Sequence, residues 1–196
     1  MIKYPDGRKY TPTNYKHKLT KIELSVSQSN RGMAFEDDIN ISNKFYYEHG
    51  VALITKRPTP INVVKVDYTN GAKIVDAYFE KQSTTDYNGI YKGKYIDFEA
   101  KSTKSVTSFP LSNISNHQIE HLKQVLKHGG IGFFIIHFQR KDETYILSAE
   151  QLIMFTKMNN RKSIPYEFFK NKTMQVAHGY NPRLYYLEAV DKLFFE

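Results

Sequence analysis

Polar and apolar side chains follow a helical period in the first part of the chain. From Arg31 to about His49, polar side chains recur at steps of four, three and four residues, while apolar ones lie elsewhere around the cylinder. The polar positions are Glu36, Asn40, Asn43 and Tyr47. This spacing predicts a helix with one polar face, and Gly50 is typical of a residue that ends a helix.

Strand patterns dominate the next fifty residues. The apolar run at 51–55 predicts a short buried strand, which is followed by a break at Pro58-Thr59-Pro60. Segments 61–68 and 72–79 predict the arms of a β-hairpin, because Asn70-Gly71 between them suits a tight turn. A second pair of strands is predicted at 86–91 and 94–101, with a turn at Lys92-Gly93.

Helices and strands both occur in the remainder of the chain. A helix is predicted at 115–128, ended by Gly129-Gly130, and a buried strand at 131–138. A shorter strand is predicted at 144–147, and further helices at 149–158 and 182–194. Strands mixed with helices in a chain of 196 residues predict one α/β or α+β domain.

The chain is basic, with a formal net charge of +8 and a pI near 9.4. This charge favours a polyanionic partner such as nucleic acid, although basic residues also serve solubility alone. Residues 1–30 are rich in lysine and lack sustained periodicity. They are predicted to form a flexible basic arm, which either contacts DNA phosphates or remains a solvated tail.

The absence of cysteine excludes disulfides, a thiolate zinc site and a cysteine nucleophile, and it suits a reducing compartment. The sequence has no run of about 18 apolar residues, and its N-terminus lacks the apolar core of a secretory signal. We therefore expect a cytoplasmic protein that does not associate with membranes.

The strand at 94–101 carries the candidate chemistry. Side chains alternate along a strand, so Asp97, Glu99 and Lys101 share one face and the apolar side chains share the other. A solvent-exposed edge strand shows the same alternation. Asp86, thirteen residues before Glu99 and separated from it by a turn, favours a different interpretation, because a hairpin can bring the two carboxylates together.

Two carboxylates followed by a lysine form the pattern D…(D/E)-x-K. Carboxylates are the hard oxygen ligands that Mg²⁺ prefers, and Mn²⁺ serves as its substitute. The metal offsets charge on a scissile phosphate and lowers the pKa of a bound water, while the lysine stabilises the transition state. Asp, Glu and Lys are common residues, so the pattern by itself is weakly specific.

Several blocks of the sequence resemble the RecU resolvase family, a branch of the PD-(D/E)XK nucleases, in the same order and with similar spacing. They begin at residue 30 and extend to the C-terminal PRLYYLEAVDKL. The blocks are NRGMAFEDDINISNKFYY (30–47), KRPTPI (56–61), AYFEKQSTTDYNGIYKGKYIDFEAK (77–101), FPLSNISNHQIEHL (109–122) and the strand that begins GIGF. The resemblance implies a restriction-endonuclease-like fold at 31–196, with a mixed central sheet flanked by helices and a projecting hairpin stalk at 58–80.

The resemblance also implies the site. Its metal ligands fall on Thr84, Asp86, Glu99 and Gln118, and Lys101 is the transition-state stabiliser. Similar nucleases often place a supporting carboxylate where Glu36 lies. The roles of Thr84 and Gln118 rest on the resemblance alone.

The family further implies a homodimer that makes paired cuts in a four-way DNA junction, in recombination and repair, with a recombinase as a further partner. Phosphate contacts are expected from basic residues around the stalk and from the start of the first helix, where the helix N-terminus also attracts phosphate. They are Arg31, Lys56, Arg57, Lys65 and Lys73. The alternative for these side chains is that they are solvated cations.

The sequence leaves three competing interpretations open. His117-Gln-Ile-Glu-His121 matches the H-x-x-E-H signature of inverted zinc peptidases, but no third ligand lies in a recognisable setting downstream. If the chain is not a peptidase, these two histidines serve DNA contact or the surface. The second interpretation is a non-catalytic junction-binding or strand-annealing protein, and the third is a restriction-type endonuclease on the same fold.

Overall fold

The computed structural model describes residues 21–80 and 84–196. The chain divides into two units at residue 33, and the sheet, the core and the site all belong to the second unit, residues 34–196. The first twenty residues of the predicted basic arm lie outside the described residues.

The elements mix helices and strands, as the sequence predicts. The helices are α1 (Lys21–Glu48), α2 (Asn116–Lys127), α3 (Ala149–Met158), α4 (Tyr166–Lys172) and α5 (Tyr186–Phe194), with one 3₁₀ turn at Leu111–Asn113. The strands are β1 (Ala52–Lys56), β2 (Ile61–Asp67), β3 (Lys73–Phe79), β4 (Tyr87–Tyr91), β5 (Lys94–Thr103), β6 (Ser108–Pro110), β7 (Ile131–Phe138), β8 (Glu143–Ser148), β9 (Ser163–Pro165) and β10 (Met174–Val176).

Six strands form a mixed central sheet in the order β1-β4-β5-β7-β8-β10. Every neighbouring pair is antiparallel except β5 and β7, which run parallel and are connected through α2. The turn from β4 to β5 consists of Lys92 and Gly93, which both have positive φ values, 47° and 73°. Such a two-residue turn fixes the register of the hairpin.

Apolar layers cover both faces of the central sheet. One layer packs α1 and α5 against Phe98, Phe133 and Ile135, and the other packs α2, α3 and α4 against Phe134 and Ile136. Strand β7 is buried on both faces, which explains its continuous apolar run. The mixed central sheet flanked by helices is therefore confirmed.

Strands β2 and β3 pair only with each other, as the predicted hairpin. Every side chain of β3 is exposed and β2 buries none, so the hairpin does not pack on the core. Large apolar side chains of the hairpin nevertheless face solvent. They include Val64, Tyr68, Tyr78 and Phe79.

Some boundaries differ from those predicted. Helix α1 begins at Lys21 rather than Arg31, because residues 21–31 contain neither Pro nor Gly and the backbone continues the helix upstream without an apolar period. Strand β1 is an edge strand with a single buried side chain, Ile54, rather than a buried strand. Helix α5 begins at Tyr186 rather than at residue 182. Within the described residues, no helix is both long and apolar enough to cross a membrane.

Candidate metal centre

Asp86 and Glu99 come together at the start of the β4–β5 hairpin. Tyr87 pairs with Phe98, so Asp86 lies opposite Glu99 in the continued register. Opposing residues of an antiparallel pair project on the same face. The backbone N–H of Asp86 donates to Oε2 of Glu99 over 3.0 Å, and hydrogen bonding between the two side chains is among the causes that raise the pKa of Glu99. The two carboxylates therefore share one site, as their spacing predicts.

Glu99 is almost completely buried, at 2% exposure, and two donors converge on its Oε1 atom. The Lys101 ammonium lies 2.8 Å from this atom, and the Gln118 amide donates to it over 2.6 Å from α2. Burial and the negative charge of Asp86 raise the pKa of Glu99 to about 7, although Lys101 opposes this shift. Without a cation, the pair of carboxylates thus retains a proton readily.

Gln118 is fixed at both ends of its side-chain amide. Its Oε1 atom accepts the backbone N–H of Ser115 over 3.1 Å in a capping box at the start of α2, while its Nε2 atom faces Glu99. The family-implied position thus has a physical anchor that sequence reasoning did not supply, although the signature Ser-x-x-Gln was readable. Thr84 is half-buried, two residues before Asp86.

The donor set fits a hard divalent cation. Two carboxylates crowd one another in a buried place, and a cation between them would offset the repulsion that raises the pKa of Glu99. Oxygen ligands with open positions for water suit Mg²⁺. Within the described residues, no three His, Cys, Asp or Glu side chains form a metal-binding group, and the candidate site contributes two carboxylates. His121 instead contacts Asp97.

Asp97 is the main feature that sequence reasoning missed. The side chain is fully buried on the same face of β5 as Glu99, so β5 is not a solvent-exposed edge strand. Its carboxylate is surrounded by polar partners from four places in the chain. They are Arg57, Thr85, Tyr95 and His121. Burial raises the pKa of Asp97, but these hydrogen bonds outweigh it and hold the pKa below its usual value.

The predicted DNA contacts separate into distinct environments. Lys65 and Lys73 are exposed on the hairpin, as a phosphate contact requires, and Lys56 is exposed but paired with Glu36. Arg57 has a different environment, because its guanidinium is bound to Asp97 over 2.7 Å and its side chain is only 20% exposed, and its contact with DNA stays a prediction.

Arg31 lies inside α1, ten residues after its start, so the prediction that it lies at a helix N-terminus is wrong. Its side chain lies outside the described part of the structure. Glu36, the expected supporting carboxylate, lies on α1 and forms its ion pair with Lys56.

Comparison of the sequence with known proteins identifies a family. The family model described as Recombination protein U matches residues 30–192. The chain is 46% identical over 200 residues to the Holliday junction resolvase RecU of Geobacillus sp. (strain WCH70), covering all of this chain and 98% of the relative. It is 49% identical over 199 residues to the protein of the same name from Oceanobacillus iheyensis, covering 99% of this chain and all of the relative.

Among solved structures, the chain is similar to Hjc from Archaeoglobus fulgidus, a Holliday junction resolvase from an archaeal hyperthermophile. The identity is 12%, the match covers 70% of this chain and 91% of that chain, and the TM-score of 0.41 is too low to establish a shared fold. The family model and the two relatives are enough to identify the family. Since they span nearly all of its length at close to half identity, the chain belongs to the RecU family.

Proposed function

We propose that this chain is a Holliday junction resolvase, an Mg²⁺-dependent endonuclease that hydrolyses phosphodiesters in paired strands of a four-way DNA junction. The observation that carries the proposal is the convergence of Asp86 and Glu99 beside the Lys101 ammonium. The names of the full-length relatives and the net charge of +8 agree with a junction substrate.

The residues of the site have different roles in the proposed reaction. Asp86 and Glu99 would hold the ion, with Thr84 and Gln118 completing its surroundings. When bound, Mg²⁺ or its substitute Mn²⁺ supplies Lewis acidity toward the scissile phosphate and a more acidic water. The Lys101 ammonium, 2.8 Å from Glu99, stabilises the negative charge that develops on the phosphate. Burial of Glu99 keeps competing water away from these charges.

The expected oligomeric state follows from the paired cuts. Paired cuts need two sites related by symmetry, so the proposed working form is a homodimer acting on DNA in the cytoplasm, with a recombinase as a further partner. The hairpin β2–β3 presents Lys65 and Lys73 on an element that does not pack on the core. We assign these two lysines to contacts with junction phosphates.

The test is a nicking assay on a synthetic mobile four-way junction and on a linear duplex of the same sequence, each with and without Mg²⁺. The wild-type protein is expected to cut the junction symmetrically and only with the metal. Binding without cutting would favour a non-catalytic junction-binding protein, and equal cutting of both substrates at a fixed short sequence would favour a restriction-type enzyme.

Two variants test the site itself. Asp86→Asn and Glu99→Gln are expected to abolish cutting and to leave junction affinity unchanged, because basic residues supply most of the affinity for phosphate. Glu120→Gln is the matched control, since Glu120 is an exposed carboxylate on α2 that pairs with Lys123. Undiminished cutting by either site variant would refute the assignment.

A further inference from the structure

Residues 84–86, which lead into strand β4, are held in place by one backbone hydrogen bond and by several side-chain contacts. Residues 84–86 precede Tyr87, the first residue of β4, and none of them belongs to a strand. The segment nevertheless carries Asp86 and Thr84, two of the expected ligands. Besides the hydrogen bond from the Asp86 N–H to Glu99, an interaction from outside the β4–β5 hairpin holds the segment in place.

Arg57 supplies this interaction from the end of β1. Its backbone N–H donates to the carbonyl oxygen of Asp86 over 2.7 Å. Its Nη1 atom donates to the carbonyl oxygen of Thr85 over 3.0 Å and to the hydroxyl of Thr85 over 2.7 Å. One arginine therefore binds two consecutive residues of the segment, with its backbone on one and its guanidinium on the other.

Asp97 anchors the other side of Arg57 to β5. Its Oδ2 atom accepts Nη2 of Arg57 over 2.7 Å, and its Oδ1 atom accepts the Thr85 hydroxyl. Asp97 and Glu99 project on the same face of β5 with one residue between them. A segment that is fixed relative to Asp97 is consequently fixed relative to Glu99.

Helix α2 is tied to the same two carboxylates. His121 contacts Asp97 over 2.9 Å, and Gln118, almost one helical turn earlier, donates to Glu99 over 2.6 Å. Asp97 is fully buried and Arg57 is mostly buried, so neither presents its charge to a DNA backbone. Both residues also contact the hydroxyl of Tyr95, which lies on the far side of Asp97 from Glu99.

We propose that Arg57 and Asp97 form a positioning pair, which sets the separation of Asp86 from Glu99 and thereby the affinity of this site for a divalent cation. The proposal rests on the proposed function for the location of the ion, and it gives Arg57 a role other than the expected DNA contact. A guanidinium is needed because only its planar fork can reach Asp97 and Thr85 together.

The experiment measures Mn²⁺ binding to the full-length protein by isothermal titration calorimetry, without DNA. We expect Arg57→Lys to weaken Mn²⁺ binding by about 10- to 100-fold, the usual effect of losing a group that orients a ligand. Lysine keeps the charge and loses the fork, so a contact that depends on charge alone would survive this change. Thr85→Val, which removes one hydroxyl and keeps the shape, is expected to weaken Mn²⁺ binding by a smaller factor, and it remains informative if Arg57→Lys does not fold.

Asp97→Asn and the double variant that combines Arg57→Lys with Asp97→Asn test whether the pair acts as a unit. The double variant is expected to lose no more Mn²⁺ affinity than the worse single variant, because each single change already breaks the same connection. Lys44→Ala is the control, since it removes an exposed lysine of α1 whose ion-pair partner is Glu48. It is expected to leave Mn²⁺ binding unchanged.

Junction affinity and cutting rate, measured in parallel, separate this proposal from the proposed function. For Arg57→Lys we expect unchanged junction affinity in the absence of metal, a higher Mg²⁺ concentration for half-maximal cutting, and recovery of much of the rate at saturating Mg²⁺. Wild-type Mn²⁺ affinity in Arg57→Lys, or an effect confined to junction affinity, would overturn the positioning role while leaving the nuclease intact. A wild-type protein that binds Mn²⁺ but cuts no junction would overturn the proposed function and not the pair, and one that binds no Mn²⁺ would overturn the pair.

Discussion

The free energy of unfolding of the metal-free protein is expected to fall as the pH rises through the titration of Glu99. Burial, followed by the charge of Asp86, raises the pKa of Glu99 from 4.5 to about 7 in the folded state. The unfolded chain loses this proton near the ordinary value. The stabilisation from the retained proton is therefore complete below about pH 4.5 and is lost as the pH rises through about 7.

The size of the change in the free energy of unfolding follows from the pKa shift of Glu99. One pKa unit corresponds to about 1.4 kcal/mol, so the linkage relation gives a loss of about 2–3 kcal/mol between pH 5 and pH 8 for this carboxyl alone. Solvent screening does not reduce this figure greatly, because the side chain is only 3% exposed. Glu99→Gln is the matched perturbation, since an amide keeps the shape of the side chain and does not titrate.

The assay is urea unfolding of the wild-type protein and Glu99→Gln at pH 5 and pH 8, with a chelator present. Subtracting the two proteins at each pH cancels the titration of the groups that do not interact with Glu99. Between pH 5 and pH 8, the free energy of unfolding of the variant is expected to rise by about 2–3 kcal/mol relative to that of the wild type. Glu120→Gln replaces an exposed carboxylate on the same helix as Gln118. Between pH 5 and pH 8, its free energy of unfolding is expected to change by the same amount as that of the wild type.

Two outcomes would contradict this pH dependence. If the difference between wild type and Glu99→Gln is the same at both pH values, the carboxyl of Glu99 titrates normally and the crowding of two carboxylates is absent. If the wild type gains stability relative to the variant at pH 8, the sign is reversed, and Lys101 rather than Asp86 dominates the surroundings of Glu99.

Three further predictions concern other parts of the chain. Lys101→Met is expected to slow junction cutting by at least about 100-fold with unchanged junction affinity, and a wild-type rate would exclude Lys101 from the transition state. Replacing Lys65 and Lys73 with alanine is expected to weaken junction binding and to reduce the slope of log affinity against log salt by up to about 2; an unchanged slope would identify them as solvated cations. Gly89→Ala is expected to lower stability by about 2–4 kcal/mol in calorimetry, because its Cβ would meet a backbone oxygen of β1 at 2.1 Å, and an unchanged melting temperature would contradict that contact.

The approach of the two carboxylates was predictable because it depends on local rules. The turn at Lys92-Gly93 sets the register of β4 and β5, and counting back from it places Asp86 opposite Glu99. Strand and helix patterns of ten residues or so, such as those of β5 and α3, were long enough to show their period. The hairpin β2–β3 was predictable for the same reason, from its turn and its alternating arms.

Other features depend on contacts that leave no local pattern. Strands β6, β9 and β10 have three residues each, too few to establish an alternation. Strand β1 reads as apolar, yet it lies at the sheet edge, and only tertiary structure determines that position. The pairing of Arg57 with Asp97 joins positions 40 residues apart, so neither residue signals its partner in the sequence.

Strand β5 places apolar side chains on one face and the ionic site on the other. Cutting activity therefore depends on the native pairing of this strand. A slip of one residue in its pairing would turn Asp97 and Glu99 into the layer beneath α1 and α5 and expel Phe98 toward α2. Chains that paired in this way would be inactive rather than altered in selectivity. In a refolding experiment, recovered cutting activity would therefore count only the molecules whose central strand had found its native partners.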